Sequence, residues 1–260
     1  MNEQNLKGYH ALVCGASRGI GRACAEALAE RGARLTLVAR NQEALESVRA
    51  ALPGNKNAGH AALALDLDDT RALAGRLNEI MEPAHILINN AGGPPGGPLI
   101  EARPDEFRRG FERLLIAAHL LTQHCVPGMR EAGYGRIINI ISTSVREPIP
   151  GLGVSNTIRA ACAGWAKTLS RELAPDAITI NNVLPGFTAT DRLASLFDAR
   201  AERAGKSREE VEKAALAGVP AGRFAQPAEI AAAVAFLAGP DAGYITGSSL
   251  AVDGGRLHAI

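Results

Sequence analysis

The stretch Cys14-Gly15-Ala16-Ser17-Arg18-Gly19-Ile20-Gly21 constrains this chain more than any other. It follows the apolar run Tyr9-His10-Ala11-Leu12-Val13 and opens an Ala-rich helical pattern from Gly21 to about Arg31, closed by Gly32 as a C-cap. Strand, glycine turn and helix in that order form a unit that binds the phosphates of a dinucleotide. Gly15 permits the tight turn, Gly19 lets backbone N–H groups approach a pyrophosphate, Gly21 lets the helix pack close, and the helix N-terminus attracts the anion. Glycine spacing alone is weak evidence, because glycine-rich turns are common. Its position between strand and helix makes the dinucleotide reading the leading one.

The remaining chain alternates in the same way. Strands are expected near 9–14, 33–39, 60–66, 85–89, 135–141, 178–184 and 249–252, and helices near 20–31, 41–52, 69–81, 105–126, 155–174, 191–217 and 227–238. With right-handed crossovers this predicts one α/β domain over residues 1–260, a doubly wound Rossmann-type fold whose seven-stranded, mostly parallel sheet carries helices on both faces. Pro53-Gly54 and Pro127-Gly128 read as helix ends, and Gly92-Gly93-Pro94-Pro95-Gly96-Gly97-Pro98 as irregular chain. At 260 residues, with 47% hydrophobic and only 4% aromatic residues, the core is built from Ala, Leu, Ile and Val, as covered parallel sheets are. The segment 187–220, with Arg200, Glu202, Arg203, Lys206, Arg208, Glu209 and Glu210, reads as an exposed helical lid over the substrate.

Other function classes are poorly supported. Lys plus Arg number 28 against 27 for Asp plus Glu, a balance that recommends neither nucleic acid nor an anionic membrane as partner. No apolar run reaches the roughly 20 residues of a membrane span. The start Met1-Asn2-Glu3-Gln4-Asn5 lacks the apolar region of a signal peptide, so a cytoplasmic location is expected. Cys14, Cys24, Cys125 and Cys162 have no metal-ligand spacing and read as buried, neutral thiols. His119 and His124, five apart on one helix, point roughly 140° from each other and cannot pair on a metal.

Three later segments end strands where open α/β sheets bind ligands: Asn89-Asn90-Ala91-Gly92 after Ile86-Leu87-Ile88, Ser142 after Ile137–Ile141, and Pro185-Gly186 after Ile178–Leu184. With Arg223, Pro227, Glu229, Ile230, Thr246-Gly247 and Val252-Asp253-Gly254-Gly255, this ordered set resembles the short-chain dehydrogenase/reductase family, nearest to its 3-oxoacyl reductase-like members. The resemblance covers about Lys7 to Gly255. It implies a cofactor site of Gly15, Ser17, Arg18, Gly19, Ile20, Gly21, Asn90, Ala91, Gly92, Pro185, Gly186, Thr188 and Thr190, a homotetramer, and a hydride exchanged between nicotinamide and a carbonyl or alcohol carbon.

Cofactor choice is legible at the end of the second strand. NAD-preferring enzymes place an acid there for the ribose 2′-hydroxyl, whereas Leu37-Val38 here runs into Ala39-Arg40. Arg40, helped by Arg18, can pair with a 2′-phosphate, so NADP(H) is preferred over NAD(H); the bland alternative is two solvated arginines. By resemblance Asp66 bonds the adenine amino group with Leu67 beside the ring, unless Asp66 only caps the next helix.

The resemblance breaks at the chemistry. Family members use a Ser, a Tyr, a Lys four residues on, and an Asn on the preceding helix. Ser142 matches the Ser, but thirteen positions on stands Ser155, the Lys position holds Arg159, and counting back thirteen from Pro127 lands on Leu114. The catalytic set is therefore Ser142, Ser155 and Arg159. A Ser hydroxyl is a far weaker acid than a phenol, and a guanidinium keeps its proton; Arg159 can still hold the nicotinamide ribose or steady an oxyanion. Blander roles remain open: an N-cap for Ser155, an ion pair for Arg159, core packing for Leu114, and an exposed ion pair for Arg146 with Glu147, whose carboxylate is otherwise a substitute proton partner. Ser142, Thr143, Ser144, Ser155 and Arg159 form a polar pocket suited to a carboxylate-bearing or oxygen-rich small molecule. A cofactor-binding sensor or partner subunit, and a non-redox lyase or epimerase, are the competing readings.

Overall fold

The computed structural model describes residues 4–54, 58–80 and 82–259. Its strands are β1 (His10–Cys14), β2 (Arg34–Ala39), β3 (Ala61–Ala64), β4 (Ile86–Asn89), β5 (Gly135–Ile140), β6 (Ile178–Pro185) and β7 (Ser249–Val252). They form one sheet in the order β3-β2-β1-β4-β5-β6-β7, with every neighbouring pair parallel. The expected mostly parallel sheet is thus parallel throughout. Buried on both faces, these strands are near-continuous apolar runs such as HALVC and RLTLVA, which is why no alternation marks them in the sequence.

The helices are α1 (Gly19–Glu30), α2 (Gln42–Ala51), α3 (Thr70–Arg76), α4 (Pro104–Phe111), α5 (Ala117–Ala132), α6 (Gly153–Leu173), α7 (Asp191–Ala204), α8 (Arg208–Ala217) and α9 (Pro227–Leu237). One sheet face packs on Cys24, Ala25 and Leu28 of α1, Leu45 and Val48 of α2, and Ile230 and Val234 of α9. The other packs on Leu73 of α3, Leu121, Cys125 and Met129 of α5, and Ala166 and Leu173 of α6. Because β1 leads outward to β2 and β3 while β4 leads the opposite way, the chain reverses direction between β1 and β4. The carboxyl ends of those two strands open the crevice in which such folds bind ligands.

Four stretches differ from the sequence reading. Pro127 lies inside α5, which runs on to Ala132 and ends on left-handed Gly133 (φ 60°). An interior proline removes one bond at a cost of about 3 kcal/mol, and the buried face of Leu121, Cys125, Val126 and Met129 outweighs it. Between α4 and α5 the helix continues as one π-helical turn, Glu112–Ile116. The single helix expected over 191–217 is two, broken at left-handed Gly205 and restarted by Ser207, whose side chain accepts from Glu210 N–H while Glu210 reaches back to the Ser207 N–H. The helix expected over 69–81 is α3 followed by a 3₁₀ turn, Leu77–Glu79; Met81 lies outside the described residues. Among the described residues no helix is long and apolar enough to cross a membrane.

Candidate functional site

The glycine turn is built as its residue types require. Gly15 and Gly19 have positive φ (62° and 55°). A Cβ on Gly15 would stand 2.6 Å from Asn90 Nδ2, and one on Gly21 would stand 2.1 Å from the Gly15 carbonyl, so neither position has room for a side chain. Asn90 Nδ2 donates to the Cys14 carbonyl (3.3 Å), tying the end of β4 to the turn. Arg18 stands at the N-cap of α1 and no side chain caps that helix, so its first N–H groups are free for an anion. Gly19 faces the Thr188–Thr190 loop, its absent Cβ lying 3.3 Å from Thr190 Cγ2. Thr190 Oγ1 caps α7 by accepting from the Leu193 N–H, and Thr188 Oγ1 donates to the Gly186 carbonyl. These groups fit a dinucleotide: an uncapped helix terminus, a cradle without side chains, and a rim formed by Pro185, Gly186, Thr188 and Thr190.

Arg18 and Arg40 are both exposed, and neither side chain has a bonded partner among the described residues. The Ala16 N–H donates to the Val38 carbonyl (3.2 Å), which places the glycine turn beside the end of β2 just before Arg40. Asp66 does not cap α3; Asp69 does, by accepting from the Ala72 N–H. Asp66 instead accepts from the Asp68 N–H. Leu67, Asn90, Ala91, Leu114 and Arg159 line one cavity at the crevice, with Cys14, Asn139, Cys162 and Trp165.

Ser155 and Arg159 occupy successive turns of α6. The helix starts at Gly153 after an N-cap of Leu152, so Ser155 is inside it and is not its cap. Arg159 forms no ion pair among the described residues. Its Nε donates to Ser155 Oγ (3.2 Å) and its Nη1 to the carbonyls of Ile141 (2.7 Å) and Ile140 (3.3 Å), which pins the guanidinium beside Ser142. Burial, opposed by Cys162 and reinforced by the Arg192 charge, draws Arg159 below the usual guanidinium range. Ser142 Oγ accepts from the Ser144 N–H (3.1 Å). Thr143 and Ser144 are buried, Thr143 Oγ1 accepting from Arg256 Nη1 (2.9 Å).

Glu147 and Arg146 do not pair. Arg146 donates to the Ser249 carbonyl, while Glu147 Oε1 accepts the N–H groups of His258 (2.6 Å) and Ala259 (2.7 Å), latching the C-terminal tail. Desolvation opposes ionisation of Glu147, and the tail's donors outweigh it, holding the group below the usual carboxylate range. His119 Nδ1 accepts from Trp165 Nε1 (3.3 Å), joining α5 to α6. The four cysteines are free and buried, with Cys14, Cys24 and Cys125 pushed up to about 12 by burial. Among the described residues no cluster of His, Cys, Asp or Glu could hold a metal ion.

A family profile described as Enoyl-(Acyl carrier protein) reductase matches residues 15–256. The 3-oxoacyl-[acyl-carrier-protein] reductase FabG of Vibrio cholerae is 38% identical over 253 residues, covering 96% of this chain and 98% of its own length. The chain belongs to the short-chain dehydrogenase/reductase family. Two crystal structures share the fold: L-sorbose reductase from Gluconobacter frateurii complexed with NADPH and L-sorbose (TM-score 0.88, 31% identity, 99% of this chain and 100% of the other). The second is YwfH, an NADPH-dependent reductase involved in bacilysin biosynthesis (TM-score 0.89, 30% identity, 97% of this chain and 99% of the other). As a short-chain dehydrogenase/reductase the protein is an oxidoreductase that acts on a small molecule.

Several features of this family member escaped sequence reasoning. Arg113, from the π-helical turn, forms a two-pronged ion pair with Asp68. That turn also holds Leu114, whose carbonyl accepts from Cys162 Sγ (3.5 Å). Asn89, Asn139, Asn182 and Ser249 stand in register on β4 to β7 and pass hydrogen bonds across the sheet. The polar residues were visible in otherwise apolar strands. Their alignment needed the register.

Proposed function

We propose that this protein is an NADP(H)-dependent oxidoreductase that transfers hydride between nicotinamide and a carbonyl or alcohol carbon, with a remodelled site for the proton. The observation that carries the reading is the Arg159 guanidinium, held against Ser155 and the carbonyls before Ser142 and without a carboxylate partner among the described residues. Ser142, Ser155 and Arg159 are the catalytic set, standing at the family's Ser, Tyr and Lys positions, with Leu114 at its Asn position. When bound, the cofactor supplies the hydride. Ser142 then orients the substrate oxygen, Arg159 steadies negative charge on it as a permanent cation, and Ser155, whose oxygen already accepts from Arg159, keeps its own hydrogen free to donate.

Support for NADP(H) comes from the side chains of Arg40 and Arg18, both without a partner among the described residues and placed beside the turn, and from the similar NADPH-dependent YwfH and the NADPH complex of L-sorbose reductase. The glycine turn, Asn90, Ala91, Gly92 and the Pro185–Thr190 rim hold the rest of the dinucleotide, with Asp66 and Leu67 at the adenine. The segment 187–220, now two helices, acts as a substrate lid. A small substrate bearing a carboxylate or otherwise rich in oxygen suits the polar lining, and the assembly is a homotetramer.

The test is to follow NADPH oxidation against a panel of small carbonyl compounds, with Ser142→Ala, Ser155→Ala and Arg159→Ala as variants. Turnover that falls at least tenfold in Arg159→Ala, and further than in Ser155→Ala, supports the assignment. Efficient turnover unaffected by either Ser142→Ala or Arg159→Ala places the chemistry elsewhere.

A further inference from the structure

Positive charge without a counter-ion is concentrated on one side of the crevice. Arg192, Arg200 and Arg203 lie along α7 at positions 192, 200 and 203, on the face that meets the irregular 93–98 loop and the chain before α6. Arg192 Nη2 donates to the carbonyls of Gly93 (3.3 Å) and Pro94 (2.8 Å), Arg200 Nη2 to that of Pro150 (3.4 Å), and Arg203 Nη2 to that of Gly96 (3.2 Å). Arg256 lies over the Phe187 ring, 4.9 Å from its centroid, and donates to Thr143. None of these four is in an ion pair among the described residues, whereas the neighbouring Arg113 is matched by Asp68.

Arg192 also converges on Arg159. The point where a Cβ of Gly93 would stand is 3.2 Å from Arg159 Nη2, 3.6 Å from Ser155 Oγ and 3.9 Å from Arg192 Nη2. Two guanidinium groups and a hydroxyl therefore surround one small space beside a residue that has no side chain. Like charges so placed repel, and carbonyl dipoles satisfy guanidinium hydrogens without cancelling the charge. Partial desolvation draws Arg192, still exposed at its outer edge, below the usual range, with Arg113 adding to the effect, and draws half-buried Arg200 down likewise, with Arg256 and Arg203 adding. An oxyanion is the chemistry that relieves this arrangement, because a carboxylate or phosphate accepts from two planar guanidinium forks at once.

We propose that Arg159 and Arg192, on either side of Gly93, bind an oxyanion group of the substrate, carboxylate or phosphate, and that Arg200, Arg203 and Arg256 line its approach. This rests on the reductase reading of the same crevice and adds the substrate's charge. It makes Arg192 a specificity residue carried by α7, a helix already held against the 93–98 loop by the bonds of Arg192 to Gly93 and Pro94.

The test separates anion binding from cofactor binding. Malonate and inorganic phosphate are titrated into protein saturated with NADP⁺, which fills the glycine turn, and the melting temperature is followed. A saturable rise with either probe is expected; Arg192→Ala should weaken the apparent affinity about tenfold or more, with partial recovery in Arg192→Lys. Arg49→Ala, which removes a surface ion pair with Glu46, should leave the response unchanged. No response to either probe, or the same response in Arg192→Ala, overturns the inference. NADPH fluorescence titrations run alongside: weaker NADPH binding in Arg192→Ala with an unchanged anion response assigns Arg192 to the cofactor and overturns it too. Anion binding that depends on Arg192 in a protein that binds no NADPH upholds the inference and removes the functional reading. In reduction assays acetoacetate should be preferred to its methyl ester, and Arg192→Ala should erase the preference; a preference for the ester overturns it.

Discussion

Arg159 Nε lies 3.2 Å from Ser155 Oγ, one turn away on α6. The contact makes the serine oxygen an acceptor and leaves its hydrogen free, while the cation beside it favours any negative charge that develops nearby. A tyrosine and lysine at the same spacing would share a titrating proton. In the proposed mechanism serine and arginine divide the work into a weak donor and a permanent charge.

That division predicts slow reduction of simple ketones, because a positioned general acid contributes roughly 10²–10⁴-fold and a serine hydroxyl is a poor one. The triple change Leu114→Asn, Ser155→Tyr, Arg159→Lys should raise ketone reduction toward that range, measured as NADPH oxidation. Ser142→Ala in the same background should abolish the gain. A triple variant that folds and binds NADPH with no gain would show that hydride geometry, not the proton, limits the protein.

NADPH should bind more tightly than NADH. The Arg40 and Arg18 side chains are exposed, without a partner among the described residues and beside the glycine turn, and a charge-assisted contact to the 2′-phosphate contributes about 1.5–3 kcal/mol. Arg40→Asp should therefore weaken NADPH about tenfold or more and leave NADH nearly unchanged, read by cofactor fluorescence. Equal affinities in the unmodified protein would contradict the assignment.

Asn139 sits midway in the polar ladder: it accepts from Asn89 Nδ2 (2.9 Å) and donates to Asn182 Oδ1 (3.0 Å), all three residues being buried. Removing it strands the Asn89 donor and the Asn182 acceptor, both on buried residues. Asn139→Ala should cost about 2–4 kcal/mol in urea unfolding. A loss no larger than that of an exposed substitution would mean that the neighbours re-pair.

His10 makes stability depend on acid. It is buried between Thr36 Oγ1 (2.9 Å) and the Pro83 carbonyl (3.1 Å). Desolvation, countered by the Pro83 bond and reinforced by Arg34 and His85, lowers its pKa from 6.5 to about 4. The unfolded chain thus binds a proton more readily, so the contribution is full above pH 6.5 and is lost as pH falls toward 4, amounting to about 3 kcal/mol. Unfolding free energies measured from pH 7 to 4.5 should fall with this slope, and His10→Gln should flatten it. An unchanged slope in that variant would assign the dependence to His85, which burial also lowers.

The protein should be a homotetramer, with α4–α5 and α6 pairing across two-fold axes. Light scattering at micromolar concentration decides this, and a monomer would refute it.

Residues near one another in the chain carried much of the fold in the sequence itself. The glycine turn, the alternation of apolar strands with helices and the strand-end positions of Asn90, Ser142 and Pro185 were all legible, because a glycine that must admit a backbone and a strand buried on both faces leave local signatures. Even the break at Gly205 had one, the Ser207–Glu210 capping pair, masked by the helical charges around it. What tertiary structure alone decided lies in pairings across long stretches of chain. Packing carried α5 through Pro127, Glu147 went to the tail and not to Arg146, Asp68 claimed Arg113, and Arg192 came to Gly93 from 99 residues away, leaving Arg159 and Arg192 without a carboxylate among the described residues. Which charges meet a counter-ion depends on the packing of whole elements, and no local pattern encodes it.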